Sequence, residues 1–595
     1  MQIDSGDFFE RNLLALSHKD PELCARLSAT RANPARHSCY TFLESRTGEL
    51  IPAWLNPAAE TNGTAPSAAH GAAHPLHSMV DPRKEAQRLI DSTAGAGFLV
   101  LLGLGGGYCA EAALDSGAGI VLVVEYGASS LAELLRRQDY TRLFRDPRFI
   151  LLADVSDAAL ERRIAEVYQP VLYGAIAVVP LRSRTRFHAD DFSRAANAVN
   201  ASIHRVSADY SVQAHFGKRW FSNIIRNIAT LERAAQAPQP LLPSVRRAAV
   251  CAAGPSLSAH IEQVRKNRSD LFLIATDTSL PCLLHSGIRP DAVISIDCQH
   301  ISYHHFVDEL PRGVFIFLDV ASPPLLASRY CTNNPTYFFS SAHPLSRYVS
   351  SAYCRMPELD TSGGNVTYAA VSLAEQLGAH QIELYGADFA YPAGVAYARG
   401  TYLYRLFAQW QNRVRPLEAQ TSRFLFRAPV EKKTRPGSDA WYYETQTLEF
   451  YRKALEEKSR TLHAELIPLQ GSGAPITVHR EQPKPRPAQI QRAEFLPAVK
   501  TVMTSGEFLT LYRDQIAALK VPDKTPPEYI TSLQGSERAV FATLLPLASA
   551  MAATVAAINA SNNERALQLQ TRFQELFIQA KDHCLREIDA LLNRL

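Results

Sequence analysis

The sequence predicts an α/β protein in three parts: an N-terminal Rossmann-like domain over 1–215, a central α/β domain over 216–478 and a helical domain over 488–595. Three observations carry this. An apolar run, Phe98 to Leu102, breaks into Gly103-Leu104-Gly105-Gly106-Gly107. A second series of short apolar runs, each closed by Gly, Pro or Asp, begins at Val250. Beyond Pro483, Pro485 and Pro487 no strand signal recurs and helix formers dominate. Apolar runs of strand length separated by helical segments read as parallel sheets buried on both faces.

Composition narrows the function classes. At 595 residues, with 46% hydrophobic and 20% charged, the chain is long enough for several domains with real cores. A net charge of +4 is too mild for a nucleic-acid-binding surface. Nine cysteines are scattered without a Cys-x-x-Cys pair, which favours reduced thiols over a disulfide or metal framework. Met1-Gln2-Ile3-Asp4 has neither the basic start nor the apolar core of a secretion signal, so a cytoplasmic protein is expected. Ala539 to Ile558 is uncharged, but alanine adds little membrane affinity. A buried helix is expected there rather than a membrane span. Glu60 to His77, rich in Ala, Ser, Gly and His, reads as a loop, and the three prolines as a stiff connector.

In the N-terminal domain the glycine loop is followed by a helix and by Ile120 to Val124, ending at Glu125. This resembles the loop that binds S-adenosylmethionine, with Glu125 where ribose hydroxyls are held. The alternative is that the glycines permit close strand–helix packing, and on it Gly105→Ala harms folding before any ligand binding.

The central domain carries the chemistry. Val250-Cys251-Ala252-Ala253 runs into Gly254-Pro255-Ser256-Leu257. Pro255 presets φ for a helix start, and free amides with the helix dipole are a ready anion site, the alternative being a plain turn. Thr276-Asp277 and Asp297 fall at the C-terminal ends of the next strands, the edge at which open α/β sheets bind ligands. Either aspartate could instead cap a helix. Ser362-Gly363-Gly364-Asn365 precedes an amphipathic helix, and its glycines allow close approach of a ligand. Gly386-Ala387-Asp388-Phe389 ends a later strand, followed by Tyr391, Tyr397, Tyr402 and Tyr404.

Taken in order, these motifs resemble those of the motility accessory factors, flagellin glycosyltransferases for sialic-acid-like nonulosonic acids. They are also similar to turns of bacterial sialyltransferases that use CMP-sugars. The resemblance spans roughly 216 to 478, from the helix with Trp220, Asn223 and Asn227 to Gly471-Ser472-Gly473. It implies a CMP-activated donor held by Gly254 to Leu257, Thr276, Asp277, Ser362 to Asn365 and Asp388. Tyrosine hydroxyls would hold the leaving phosphate, flagellin would be the acceptor, and neither metal nor further cofactor is called for. Two departures stand out: Ala252-Ala253 replaces a polar Asn-Gly, and no histidine lies between His380 and His463 to serve as base. Asp277, Asp297, His300, Asp388 and Tyr391 are the catalytic candidates, with the base unassigned. The hydroxymethylpterin diphosphokinases share the Gly-Pro-Ser-Leu pattern and imply ATP with magnesium on Asp277, Asp297 and Asp388. A non-catalytic flagellin-binding assembly factor on a degenerate transferase fold is the third reading.

Overall fold

The computed structural model describes residues 6–32, 39–55, 73–93, 95–236, 240, 242–308, 310–330, 333–479, 498–499, 503–555 and 564–594. Met1 to Asp4, most of the Glu60–His77 loop and the prolines 483, 485 and 487 lie outside them. The chain forms two compact units, Met1–Gly217 with Ala518–His583, and Lys218–Ala517 with Cys584–Leu595. The segment 488–595, expected as one helical domain, is thus divided between them.

In the first unit four parallel strands run in the order Phe149–Ala153, Ile120–Glu125, Ala96–Leu102, Ala175–Pro180. Every residue of the two central strands is buried, which explains runs without polar alternation. The strand order reverses between Ala96–Leu102 and Ala175–Pro180, so the glycine loop leaves the sheet at its switch point. A three-stranded antiparallel sheet, Tyr40–Glu44, Leu50–Leu55 and Ala73–Pro75, completes the strands. Arg565, fully buried, donates to the Ser116 hydroxyl and the Thr93 carbonyl, both at 3.2 Å. The apolar stretch from Ala539 falls in helix Ser536–Ser549, which contains Pro546; residues 556–558 lie outside the described set. Among the described residues no helix is long and apolar enough to cross a membrane.

The second unit is built on seven parallel strands. Their order is Thr336–Phe339, Phe315–Asp319, Ala292–Ser295, Phe272–Thr276, Arg247–Cys251, Gln381–Tyr385, Glu465–Pro468. The chain moves outward from Arg247–Cys251 through four strands, then returns to the other side of it. The switch point therefore lies between Arg247–Cys251 and Gln381–Tyr385. Helix Val366–Gln376 packs across the sheet through Ala369, Ala370, Leu373 and Ala374 onto Val250, Ile274 and Ile294. Small side chains on that face let helix and sheet approach closely, and each fully buried Ile or Leu contributes about 1.5–3 kcal/mol. Asn223 donates to the carbonyls of Cys298 (2.9 Å) and Ala321 (2.8 Å), and Asn227 to Val320 and Ser322 (both 2.8 Å). One helical turn apart, these two amides pin the loops that leave the third and fourth strands in chain order.

Candidate functional site

At the switch point, Gly254 leaves strand Arg247–Cys251 and helix Ser256–Lys266 begins. Asp388 leaves the adjacent strand and folds back onto that helix start. Its Oδ2 accepts the Ser256 amide at 2.8 Å and its Oδ1 the Gly473 amide at 3.2 Å. Burial pushes the Asp388 carboxyl up, and the Ser256 bonds pull it back. The Gly254 amide in turn donates to the Gly386 carbonyl at 2.8 Å. A side chain at Gly254, Gly471 or Gly473 would run into Asp388, and at Gly471 also into Ser256. These glycines are what the close crossing of three loops requires.

Beside this crossing, a polar cluster gathers over the ends of strands Phe272–Thr276 and Ala292–Ser295. Asp277 is buried; its Oδ1 accepts the Thr278 amide (2.6 Å) and its Oδ2 the Ser295 hydroxyl (2.7 Å). Thr276 is turned inward, donating to the Cys251 carbonyl at 3.2 Å. Asp297 accepts the Gln299 amide at 2.9 Å, and its carboxyl is raised by burial and by Asp277. His300 is exposed. His305, five residues on, is buried, with its ring edge-on to Tyr402 at 4.5 Å between centroids. Burial lowers the His305 imidazole while the Asp277 and Asp297 carboxylates raise it. Tyr397 is held above its ordinary value by burial, with Tyr402, Tyr391, Arg427 and Asp277 all acting on it. Burial likewise raises Tyr391 and Tyr402, and the Arg427 charge offsets part of that. Tyr391 and Arg427 both belong to an insertion made of strands Tyr391–Pro392, Glu431–Thr434 and Trp441–Glu444 and helices Tyr402–Trp410 and Leu417–Leu425.

The structure thus brings Asp277, Asp297, Tyr391, Tyr397 and Tyr402 together and adds His305 and Arg427. Sequence reading missed those two. His305 lies in a short 3-10 segment with no strand or glycine signal, and Arg427 in a stretch with many other arginines.

The Ser362–Asn365 loop is braced by its own neighbours. Asp360 accepts the Ser362 amide (3.0 Å) and hydroxyl (2.7 Å), the Tyr368 hydroxyl (2.9 Å) and the Lys458 ammonium (2.8 Å). Against the cost of burial, these donors hold the Asp360 carboxyl far below the usual carboxylate range. Asn365 caps helix Val366–Gln376 by accepting the Tyr368 amide at 3.0 Å. Gly364 has φ +71°, a left-handed conformation that suits glycine. A side chain at Gly363 would enter the Tyr368 ring.

At the N-terminal switch point the glycine loop is filled by the protein itself. Glu125 pairs with buried Arg184 at 2.5 Å and accepts the Leu104 amide at 3.0 Å. The Gly106 amide donates to His77 Nε2 at 2.8 Å, and burial lowers His77 to about 4, leaving it a neutral acceptor. A side chain at Gly105 would strike His77 and Leu181. The close-packing explanation of these glycines accounts for each contact.

No three His, Cys, Asp or Glu side chains among the described residues converge to hold a metal ion. Asp277, Asp297 and Asp388 are not gathered into such a group.

Fold and site define a doubly wound parallel α/β protein with a polar cluster at the carboxyl edge of its larger sheet. Residues 222–394 match the family described as 6-hydroxymethylpterin diphosphokinase MptE-like. An uncharacterized protein of Treponema pallidum (strain Nichols) is 34% identical over 173 residues, 28% of this chain and 80% of that protein. The chain belongs to one family with that protein. A second uncharacterized Treponema pallidum protein is 35% identical over 154 residues, 26% of this chain and 54% of its own length. A solved structure, the MAf glycosyltransferase from Magnetospirillum magneticum AMB-1, superposes with a TM-score of 0.57 at 14% identity. It covers 98% of this chain and 96% of that one, so the two share a fold from end to end.

Proposed function

We propose that the chain is a cytoplasmic glycosyltransferase that moves a sialic-acid-like nonulosonic acid from CMP to Ser or Thr hydroxyls of flagellin. The observation that carries this reading is the polar cluster. Tyr397 and Tyr402 lie near Asp277 at the sheet edge with Tyr391 and Arg427 beside the tyrosines, and the end-to-end fold is shared with a glycosyltransferase. In the reaction, the acceptor oxygen bonds to the anomeric carbon as the bond from that carbon to the CMP phosphate breaks. The phosphate leaves with the electron pair. Arg427 and the hydroxyls of Tyr391, Tyr397 and Tyr402 are donors suited to the charge it gains, and such stabilisation is commonly the largest catalytic term. Asp388 holds the Gly254 turn and the Gly473 loop in register, and the Ser362–Asn365 loop supplies further amides for the nucleotide.

A second reading is supported by the diphosphokinase-like family match over 222–394: pyrophosphate transfer from ATP, with magnesium. Thermal unfolding separates the two. A ligand at a hundred times its Kd adds about 2.7 kcal/mol of stability. CMP is expected to stabilise the protein, and purified protein with CMP-nonulosonic acid is expected to modify flagellin. Stabilisation by ATP with magnesium and none by CMP would establish the kinase reading instead.

A further inference from the structure

We propose that His305 is the general base, taking the proton from the acceptor hydroxyl at Nδ1. The assignment rests on the transferase reading above. The three candidate aspartates are engaged. Asp277 accepts from the Thr278 amide, the Thr278 hydroxyl and the Ser295 hydroxyl. Asp297 accepts from the Gln299 amide and side chain, and Asp388 from the Ser256 and Gly473 amides. His300 is exposed. His305 is 6% exposed, and its Nδ1 is a buried nitrogen with no hydrogen-bond partner. Such an atom is costly to leave unpaired, and a catalytic role is one physical reason for it.

The surroundings suit a base. Burial keeps the ring neutral at rest, which is the form that accepts a proton. The groups acting on it are Asp277, Asp297 and His304, with the Tyr402 ring perpendicular to it. Two carboxylates against one imidazole favour the imidazolium once it forms. The step balances: the acceptor O–H proton passes to Nδ1, the oxygen pair bonds to the anomeric carbon, and CMP leaves with the pair from the broken bond.

The test compares the wild type with His305→Ala and His305→Gln for CMP-induced thermal stabilisation and for flagellin modification. Both variants are expected to keep the CMP shift and the donor KM. Their kcat is expected to fall about 10²–10⁴-fold, the range for a lost general base. Free imidazole should restore part of the rate to His305→Ala and none to His305→Gln, where the space is filled. The acidic limb of the wild-type kcat/KM profile should lie below pH 6.5, the ordinary histidine value, and vanish in both variants. Any other outcome overturns the assignment, whether an unchanged rate, lost CMP stabilisation or no imidazole rescue. A wild type that neither responds to CMP nor modifies flagellin overturns the transferase reading itself, so the two failures are distinguishable.

Discussion

Asp388 Oδ2 holds the Ser256 amide at 2.8 Å, so a carboxylate of the same chain occupies one free N–H of the helix start at the switch point. A carboxylate there is favourable because the helix N-terminus is partly positive.

Asp388→Ala is therefore expected to loosen three loops together. The Ser256 and Gly473 amides lose their partner inside a site where Asp388 is 3% exposed. A stability loss on the order of 2–4 kcal/mol is expected for two buried donors left unpaired. Urea unfolding measures it. A midpoint equal to that of the wild type would show that Asp388 is dispensable to the fold.

Close approach of a ligand at Ser362–Asn365 depends on Gly363, so Gly363→Val is expected to remove nucleotide binding. The Tyr368 ring occupies the space a side chain needs, so the fold will not be spared. The variant should lose CMP binding and also melt at a lower temperature, as overpacking typically costs about 1–3 kcal/mol. Ser256→Ala should be milder, because the Ser256 amide bond to Asp388 remains. Differential scanning calorimetry with and without CMP resolves both effects.

Asp319 supplies a pH dependence. It is fully buried at the end of strand Phe315–Asp319, accepting the Ala321 amide at 2.7 Å, and burial pushes its carboxyl up to about 6. The folded value lies above the unfolded one, so between pH 4 and 6 the folded state binds the proton and the unfolded state does not. Stability from this group is present at low pH and lost as pH rises to about 6, by at most about 3 kcal/mol. Asp319→Asn should flatten that part of the stability–pH curve and gain on the wild type at pH 7. Parallel curves for the two proteins would sink the expectation.

Arg184→Met strands Glu125 in the first unit. Removing one partner of a buried pair costs about 3–5 kcal/mol, whereas replacing both is often neutral. The double variant Arg184→Met, Glu125→Gln should recover most of the loss in chemical denaturation. S-adenosylmethionine should not stabilise the wild type, since Arg184 and His77 already fill the loop. A clear thermal shift with that ligand would restore the cofactor reading.

Much of this was legible beforehand because it is local. Both parallel sheets follow from uninterrupted apolar runs closed by Gly or Asp, and burial on two faces permits no polar alternation. Gly254 at a turn before a helix start follows from backbone chemistry within a few residues. The gathering of Asp277 and Asp297 follows from strand order, since the carboxyl ends of parallel strands share one edge.

Tertiary structure alone decided the rest, because it depends on residues far apart in sequence. Asp388 meets Ser256 across 132 positions and Arg184 meets Glu125 across 59. No local pattern marks either pair. The same holds for His305: it and its two histidine neighbours in sequence, His300 and His304, are indistinguishable until folding buries one beside two carboxylates. The C-terminal residues read as helical because periodicity is local. Which unit each helix joins was set by packing contacts such as that of Arg565 with Ser116, which no spacing encodes.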